Sequence, residues 1–131
     1  MNPAKAPAPP PVSRRPVMII DDNRDILNAL EFLLLSEGIE SIVAHDGLDA
    51  LTKLDAGKVP CLILLDMLMP EMDGWQFRKA QLADPKLAKI PVVVITAVDQ
   101  ARNSALRFGA SSFLTKPVHP DSLLGAFRQL A

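Results

Sequence analysis

A single cysteine, Cys61, is all that the 131-residue chain offers, so no intramolecular disulfide can form. Without a CxxC pair or a clustered Cys/His set, a structural zinc site is excluded as well. Long apolar runs are also missing. The longest, Cys61 to Leu65 and Val92 to Val98 with its one threonine, fall far short of the ~20 residues that span a bilayer. The first residues, MNPAKAPAPPPVSRRP, have no apolar core of the kind an export signal needs. No membrane insertion and a cytoplasmic address are the expectations.

Acidic residues are missing from the first 16 positions, where the only charges are Lys5, Arg14 and Arg15. Residues 17 to 131 therefore carry 11 basic against 15 acidic side chains, a balance of -4. That disfavours a nucleic-acid partner, since such affinity rests on Lys and Arg neutralising phosphates. Six of the 12 prolines also lie in residues 1–16, with almost no large apolar group among them. Such a segment cannot bury enough surface to offset the entropy of ordering, so residues 1–16 are expected to form an extended, disordered tail. A proline-rich ligand or tether is its functional alternative.

The remainder is 17–131, a length suited to one domain. With 49% hydrophobic and 22% charged residues, the chain has the balance of a globular protein with a sizeable core. Two hydrophobic periods alternate along it. Val17 to Ile20 is a β-branched run, followed by a helical face of Ile26, Leu27, Leu30, Leu33 and Leu34 that ends at Gly38. Ser41 to Ala44 is a second strand, and Asp46 caps a helix carrying Leu48, Leu51 and Leu54 that stops at Gly57. Leu62 to Leu65 reads as a strand buried on both faces. A helix with Trp75, Phe77 and Leu82 follows the turn residues Pro70, Asp73 and Gly74. Pro91 to Ile95 is a fourth strand, Asp99 caps a helix closing at Gly109, Ser112 to Leu114 is a fifth strand, and Pro120 opens the last helix. Five strands alternating with five helices predict a parallel, doubly wound α/β sheet, because each parallel connection needs a crossover.

In such sheets ligands bind beyond the carboxyl ends of the strands. Asp21 and Asp22 stand at the end of the first strand, Asp66 at the third, Thr96 at the fourth, and Lys116 just past the fifth. Three carboxylates repel one another unless a cation or shared protons compensate. Hard oxygen ligands suit Mg²⁺. Lys116 and Thr96 add a compact cation and a hydroxyl, which together with a metal could orient the oxygens of a phosphoryl group while a carboxylate attacks phosphorus. Asp66, at the end of a central strand, is the best-held nucleophile. His45 reads as a surface loop residue, His119 as a helix-start residue and Cys61 as a small buried hydrophobe.

Asp21-Asp22, LLDMLMPEMDGW around Asp66, VITA around Thr96 and LTKP around Lys116 resemble the receiver domain of two-component response regulators, of the chemotaxis-regulator type. The resemblance covers residues 17 to 131 and implies a flavodoxin-like fold. It implies phosphorylation of Asp66 by the phosphohistidine of a sensor histidine kinase or a phosphotransfer protein. It also implies Mg²⁺ held by Asp22, Asp66 and the Leu68 carbonyl, with Asp21 acting largely through water. Thr96 and Phe113 resemble the switch pair, Lys116 the counter-ion, and Pro117 the residue after a cis peptide. Pro70 and Gly74 match the turn beneath the phosphorylation loop. The switch aromatic is Phe, with no hydroxyl, so packing must set its rotamer. Because the sequence stops at Ala131 without an output domain, a single-domain regulator is expected, one that docks on a downstream protein target, whether the chain is natural or a piece of a longer hybrid protein. The surface for this is the helix after Asp99, the fifth strand and the last helix. Self-phosphorylation and slow autodephosphorylation are expected, with no external substrate. An aspartate-nucleophile phosphohydrolase is the enzymatic alternative, but such enzymes resemble DxD at the nucleophile, and Leu68 fills the second acidic place. A pseudo-receiver that only scaffolds would not need a complete set of site residues.

Overall fold

All four residues of β1 (Val17–Ile20) are apolar and fully buried, which requires a layer of helices on each side of the strand. The computed structural model describes residues 15–66, 74–96 and 109–130. It shows β1, α1 (Arg24–Ser36), β2 (Ser41–Ala44), α2 (Gly47–Asp55), β3 (Leu62–Asp66), α3 (Gly74–Ala83), β4 (Val92–Thr96), β5 (Ser112–Thr115) and α4 (Pro120–Leu130). The strands form one parallel sheet in the order β2-β1-β3-β4-β5. The helix expected after Asp99, the residues Leu68 and Pro70, and positions 1–14 lie outside the described residues.

The two-residue period of the strands sorts the core into two halves. Met18, Ile20, Ile63, Leu65, Val92 and Val94 pack with Ala50 and Leu54 of α2 and Phe77 of α3. The intervening Val17, Ile19, Leu62, Leu64, Val93 and Ile95 pack with Leu27, Leu30 and Leu34 of α1 and Leu123 and Ala126 of α4. Cys61 is buried in the second half, and that burial pushes its thiol pKa up.

Local chemistry fixes the helix ends. Asn23 caps α1 by accepting the Asp25 and Ile26 N–H groups at 2.9 and 3.2 Å, and Asp46 caps α2 by accepting the Asp49 N–H at 2.7 Å. Gly38, with φ of +75°, closes α1 in a conformation that other residues rarely adopt. At the start of α4, the His119 carbonyl accepts the Leu123 N–H and its Nδ1 accepts the Asp121 N–H. This is the helix-start role read from the sequence. His45 is exposed, and its Nδ1 lies 2.9 Å from the Asp49 carboxylate. Burial acts to raise the Asp49 pKa, but hydrogen bonds from the His45 N–H and the Lys53 ammonium outweigh it and hold the carboxyl below its usual range.

Two apolar residues depart from their expected faces. Leu48 and Leu82 are exposed, and the inward face of α2 is built on Ala50 and Leu54 instead. On α3 the places beside Phe77 go to Arg78 and Gln81, both buried. Arg78 donates to Gln81 Oε1 at 2.8 Å and to the Gly109 carbonyl at 3.0 Å. Gln81 Nε2 in turn donates to the carbonyls of Leu87 and Ile90 at 2.8 and 3.0 Å. Every polar end in this pair finds a partner, so α3 can bury a guanidinium and an amide against the turns that lead into β4 and β5. Desolvation lowers the Arg78 pKa from its ordinary value.

Gln81→Leu keeps the volume and removes these bonds, leaving buried groups unsatisfied. It should destabilise the fold by about 1–3 kcal/mol. In urea denaturation the midpoint should fall with the slope unchanged, and a midpoint equal to that of the wild type would show that the amide is dispensable.

Candidate functional site

The strand order reverses at β1, which has β2 on one side and β3 on the other. A crevice opens at such a point beyond the strand ends. Asp21 lies there because the parallel ladder continues one residue past β1, its N–H donating to the Ala44 carbonyl at 3.1 Å. Its Oδ1 accepts the Asn23 N–H at 2.9 Å, a bond that turns the chain from β1 into α1. Asp66 is the last residue of β3, paired with Ile95 of β4, and the residue before it, Leu65, is paired on both sides, with Ile20 of β1 and Val94 of β4. Asp22 follows Asp21 on the solvent side.

The carboxylate oxygens of Asp21, Asp22 and Asp66 lie within 4.8 Å of one another, the one such group found among the described residues. Asp21 and Asp66 are buried and Asp22 is exposed. Lys116, one residue past β5, reaches back across the sheet edge. Its Nζ is 3.1 Å from Asp21 Oδ2 and 3.5 Å from Asp66 Oδ1. One ammonium against three carboxylates leaves an excess of negative charge. Like charges ~4 Å apart cost about 4 kcal/mol at an effective dielectric constant near 20. A divalent cation removes that cost, and octahedral Mg²⁺ with oxygens at about 2.0–2.1 Å needs ligand atoms about 3–4 Å apart. The three carboxylates are all oxygen donors gathered within 4.8 Å of one another, which a bound ion could draw to that spacing, and the exposed Asp22 side leaves room for the waters that Mg²⁺ retains. The residues fit the ion.

The remaining expected residues are placed unequally. Thr96 ends β4 in register with Thr115, next to the Asp66 strand, and is placed here by its backbone. Phe113, opposite Val94 in β5, is half-buried against the core half that contains α2 and α3. The Lys116–Pro117 peptide is cis, as the resemblance implies. Leu68 lies outside the described residues. Beside the cluster is a feature the sequence reading missed, a 460 Å³ cleft lined by Ile26, Ala29 and Leu30 of α1 and by Lys116, Pro117 and Val118. Its signal is the spacing of Ile26, Ala29 and Leu30 along α1, which sets them on one helical face.

The sequence model of the response regulator receiver domain matches residues 17–128. The chain belongs to this family. As a receiver domain it is 40% identical over 116 residues to the response regulator PleD of Caulobacter vibrioides, a match covering 87% of this chain and 25% of PleD. It is 35% identical over 114 residues to protein PilG of Pseudomonas aeruginosa, covering 86% of this chain and 84% of PilG. Among solved structures, the Vibrio cholerae chemotaxis protein CheY4 superposes with a TM-score of 0.81 at 27% identity, covering 89% of this chain and 98% of that one. The receiver fold is therefore the doubly wound, flavodoxin-like sheet expected from the alternation of strands and helices. Receiver domains generally bind Mg²⁺ at an acidic pocket, and this one has the acidic cluster. No helix among its described residues is long and apolar enough to cross a membrane.

Because the folded cluster repels itself, Mg²⁺ should stabilise the receiver domain by mass action on the folded state. At ~100 times its Kd the ion should contribute about 2.7 kcal/mol, read as a rise in Tm. Asp22→Ala should weaken Mg²⁺ binding in calorimetric titration. An unchanged Kd would remove Asp22 from the ligand set.

Proposed function

We propose that the chain is a single-domain cytoplasmic response regulator that accepts a phosphoryl group on Asp66 and thereby changes a protein-docking surface. The observation that carries this reading is the setting of Asp66: a carboxylate at the end of a fully buried central strand, with an ammonium 3.5 Å away and two further carboxylates within 4.8 Å. The phosphodonor is the phosphohistidine of a sensor histidine kinase or a histidine phosphotransfer protein. A carboxylate oxygen of Asp66 forms the new bond to phosphorus. The phosphorus–nitrogen bond breaks, its electron pair stays on the imidazole, and an acyl phosphate remains on the regulator. Bound Mg²⁺ would supply charge neutralisation for the transferred group, held by Asp21, Asp22, Asp66 and the Leu68 carbonyl.

The protein's own residues do the rest. The β3 ladder fixes the Asp66 backbone, so that the nucleophile is oriented before the donor arrives. Lys116, tied to Asp21 and Asp66 in the resting protein, follows the phosphoryl oxygens as a counter-ion. The apolar cleft of Ile26, Ala29 and Leu30 with Lys116 at its rim supports docking of the donor protein beside the nucleophile. Thr96 serves as the hydroxyl that bonds the phosphorylated Asp66, and Phe113 as the ring that repacks in response. Phosphorylation and slow autodephosphorylation are then the only reactions, with no turnover of an external substrate, and a downstream protein is the target.

Acetyl phosphate with Mg²⁺ should add one alkali-labile phosphoryl group, visible by intact mass, and Asp66→Asn should abolish it. Labelling that persists at normal stoichiometry in this variant would give the nucleophile's role to another residue. A separate expectation concerns transmission. Thr96→Ala should still accept phosphate but show smaller amide shift changes over residues 109–120 on phosphorylation. Phe113→Ala should do the same and cost about 2 kcal/mol, less than the 3–5 of a fully buried ring. Wild-type shift changes in both variants would place the signal's exit elsewhere.

A further inference from the structure

On the outer side of α1, toward the sheet edge formed by β2, Phe32 is 75% exposed and Leu35 is 64% exposed. They border a 520 Å³ groove completed by Asn28, Glu31, Ile39, Glu40 and Ser41. It lies at the opposite end of the strands from the carboxylates, since Ser41 begins β2 and Asp21 follows the end of β1. The groove is lined by the apolar side chains of Phe32, Leu35 and Ile39 and by two acidic residues, Glu31 and Glu40. No basic side chain lines it among the described residues. Its occupant should be extended, apolar and cationic.

We propose that this groove is the docking site of the chain's own N-terminal segment, Lys5 to Arg14. Three observations point there. The first is position: the Val17 N–H donates to the Glu40 carbonyl at 2.9 Å, and Val17 pairs with Ser41. The segment therefore joins the folded body beside two residues that line the groove. The second is charge, for the only charged side chains before Val17 are Lys5, Arg14 and Arg15, and the groove presents Glu31 and Glu40. The third is composition. Pro7, Pro9, Pro10 and Pro11 have fixed φ angles and favour a polyproline helix, which loses little entropy on binding and packs on exposed aromatic rings. Phe32 supplies such a ring.

Reach and affinity are both sufficient. At ~3.1 Å per residue, the nine steps from Pro7 to Pro16 extend about 28 Å, enough to double back and cover the groove. A short tether also places the segment at an effective concentration on the order of millimolar. A contact too weak to hold a separate peptide thus holds this one. Docking of this kind adds no core, in keeping with a segment too poor in large apolar residues to fold alone. It is independent of the chemistry at Asp66.

The test uses the full chain labelled for NMR, with a spin label at Ala4→Cys in a Cys61→Ala background. Paramagnetic loss of intensity should concentrate on the amides of Phe32, Leu35, Ile39 and Ser41. It should diminish when salt is raised and in a Glu31→Lys, Glu40→Lys variant. As a check that leaves the folded body untouched, Lys5→Glu with Arg14→Glu in the unlabelled wild-type background should shift the same groove amides. Loss of intensity spread evenly over the surface, or none at the groove, would overturn the proposal and leave the groove to a separate partner. Loss that grows with protein concentration and vanishes on dilution into unlabelled chain would assign it to a second copy instead.

Discussion

Mutual repulsion among Asp21, Asp22 and Asp66 is the constraint around which the rest of the molecule is organised. Three carboxylate oxygens within 4.8 Å are tolerable only with positive charge close by, and the fold brings Lys116 from the far end of the sequence to meet them. That meeting depends on the sheet order. The strand bearing Asp66 lies between those that carry Asp21 and Thr96, and β5 delivers Lys116 at the same edge. The buried apolar residues of β1, β3 and β4 hold the strands in register and so hold the charges in place. Core packing and site electrostatics are in this sense one arrangement. The hydrophobic effect supplies the energy that keeps like charges together until a cation arrives.

Much of this was legible in the sequence, for identifiable reasons. Strands buried on both faces read as continuous apolar runs, and the helices around them announce their ends with Asp46, Gly38 and Gly57. The site residues stood out because strand-end positions in a parallel sheet converge by topology alone. The resemblance to receiver domains then supplied roles that spacing could not. What escaped was chiefly the interior of α3. Arg and Gln are mostly exposed, so nothing local singles out Arg78 and Gln81 as core residues. Their partners, the carbonyls of Leu87, Ile90 and Gly109, become neighbours only once the turns before β4 and β5 are folded. Leu48 and Leu82 show the converse error, for an apolar residue at a helical spacing near the inward face still faces solvent here.

The two ends of the sheet do different work. At the carboxyl ends, charge is concentrated and compensated within a few ångströms. At the amino ends, β1 receives the chain beside Glu40, and a groove lined by apolar and acidic residues stands open next to that point. Helix α1 connects the two regions, bearing Ile26, Ala29 and Leu30 beside Lys116 near its start and Phe32 and Leu35 beside the groove near its end. A single amphipathic element thereby contributes to the core and to two surfaces that differ in polarity and in the partners that would suit them.

Hydrogen-bonded to β4 on one side only, and with no residue fully buried, β5 is the least enclosed of the strands that serve the site. Asp66 stands at the opposite extreme, in a strand laddered on both sides and sealed above and below. The phosphorylation proposed for Asp66 would therefore act on an enclosed strand linked through Lys116 to a more open one. On that proposal the open β5 margin, rather than the enclosed middle of the sheet, is where the change would be taken up.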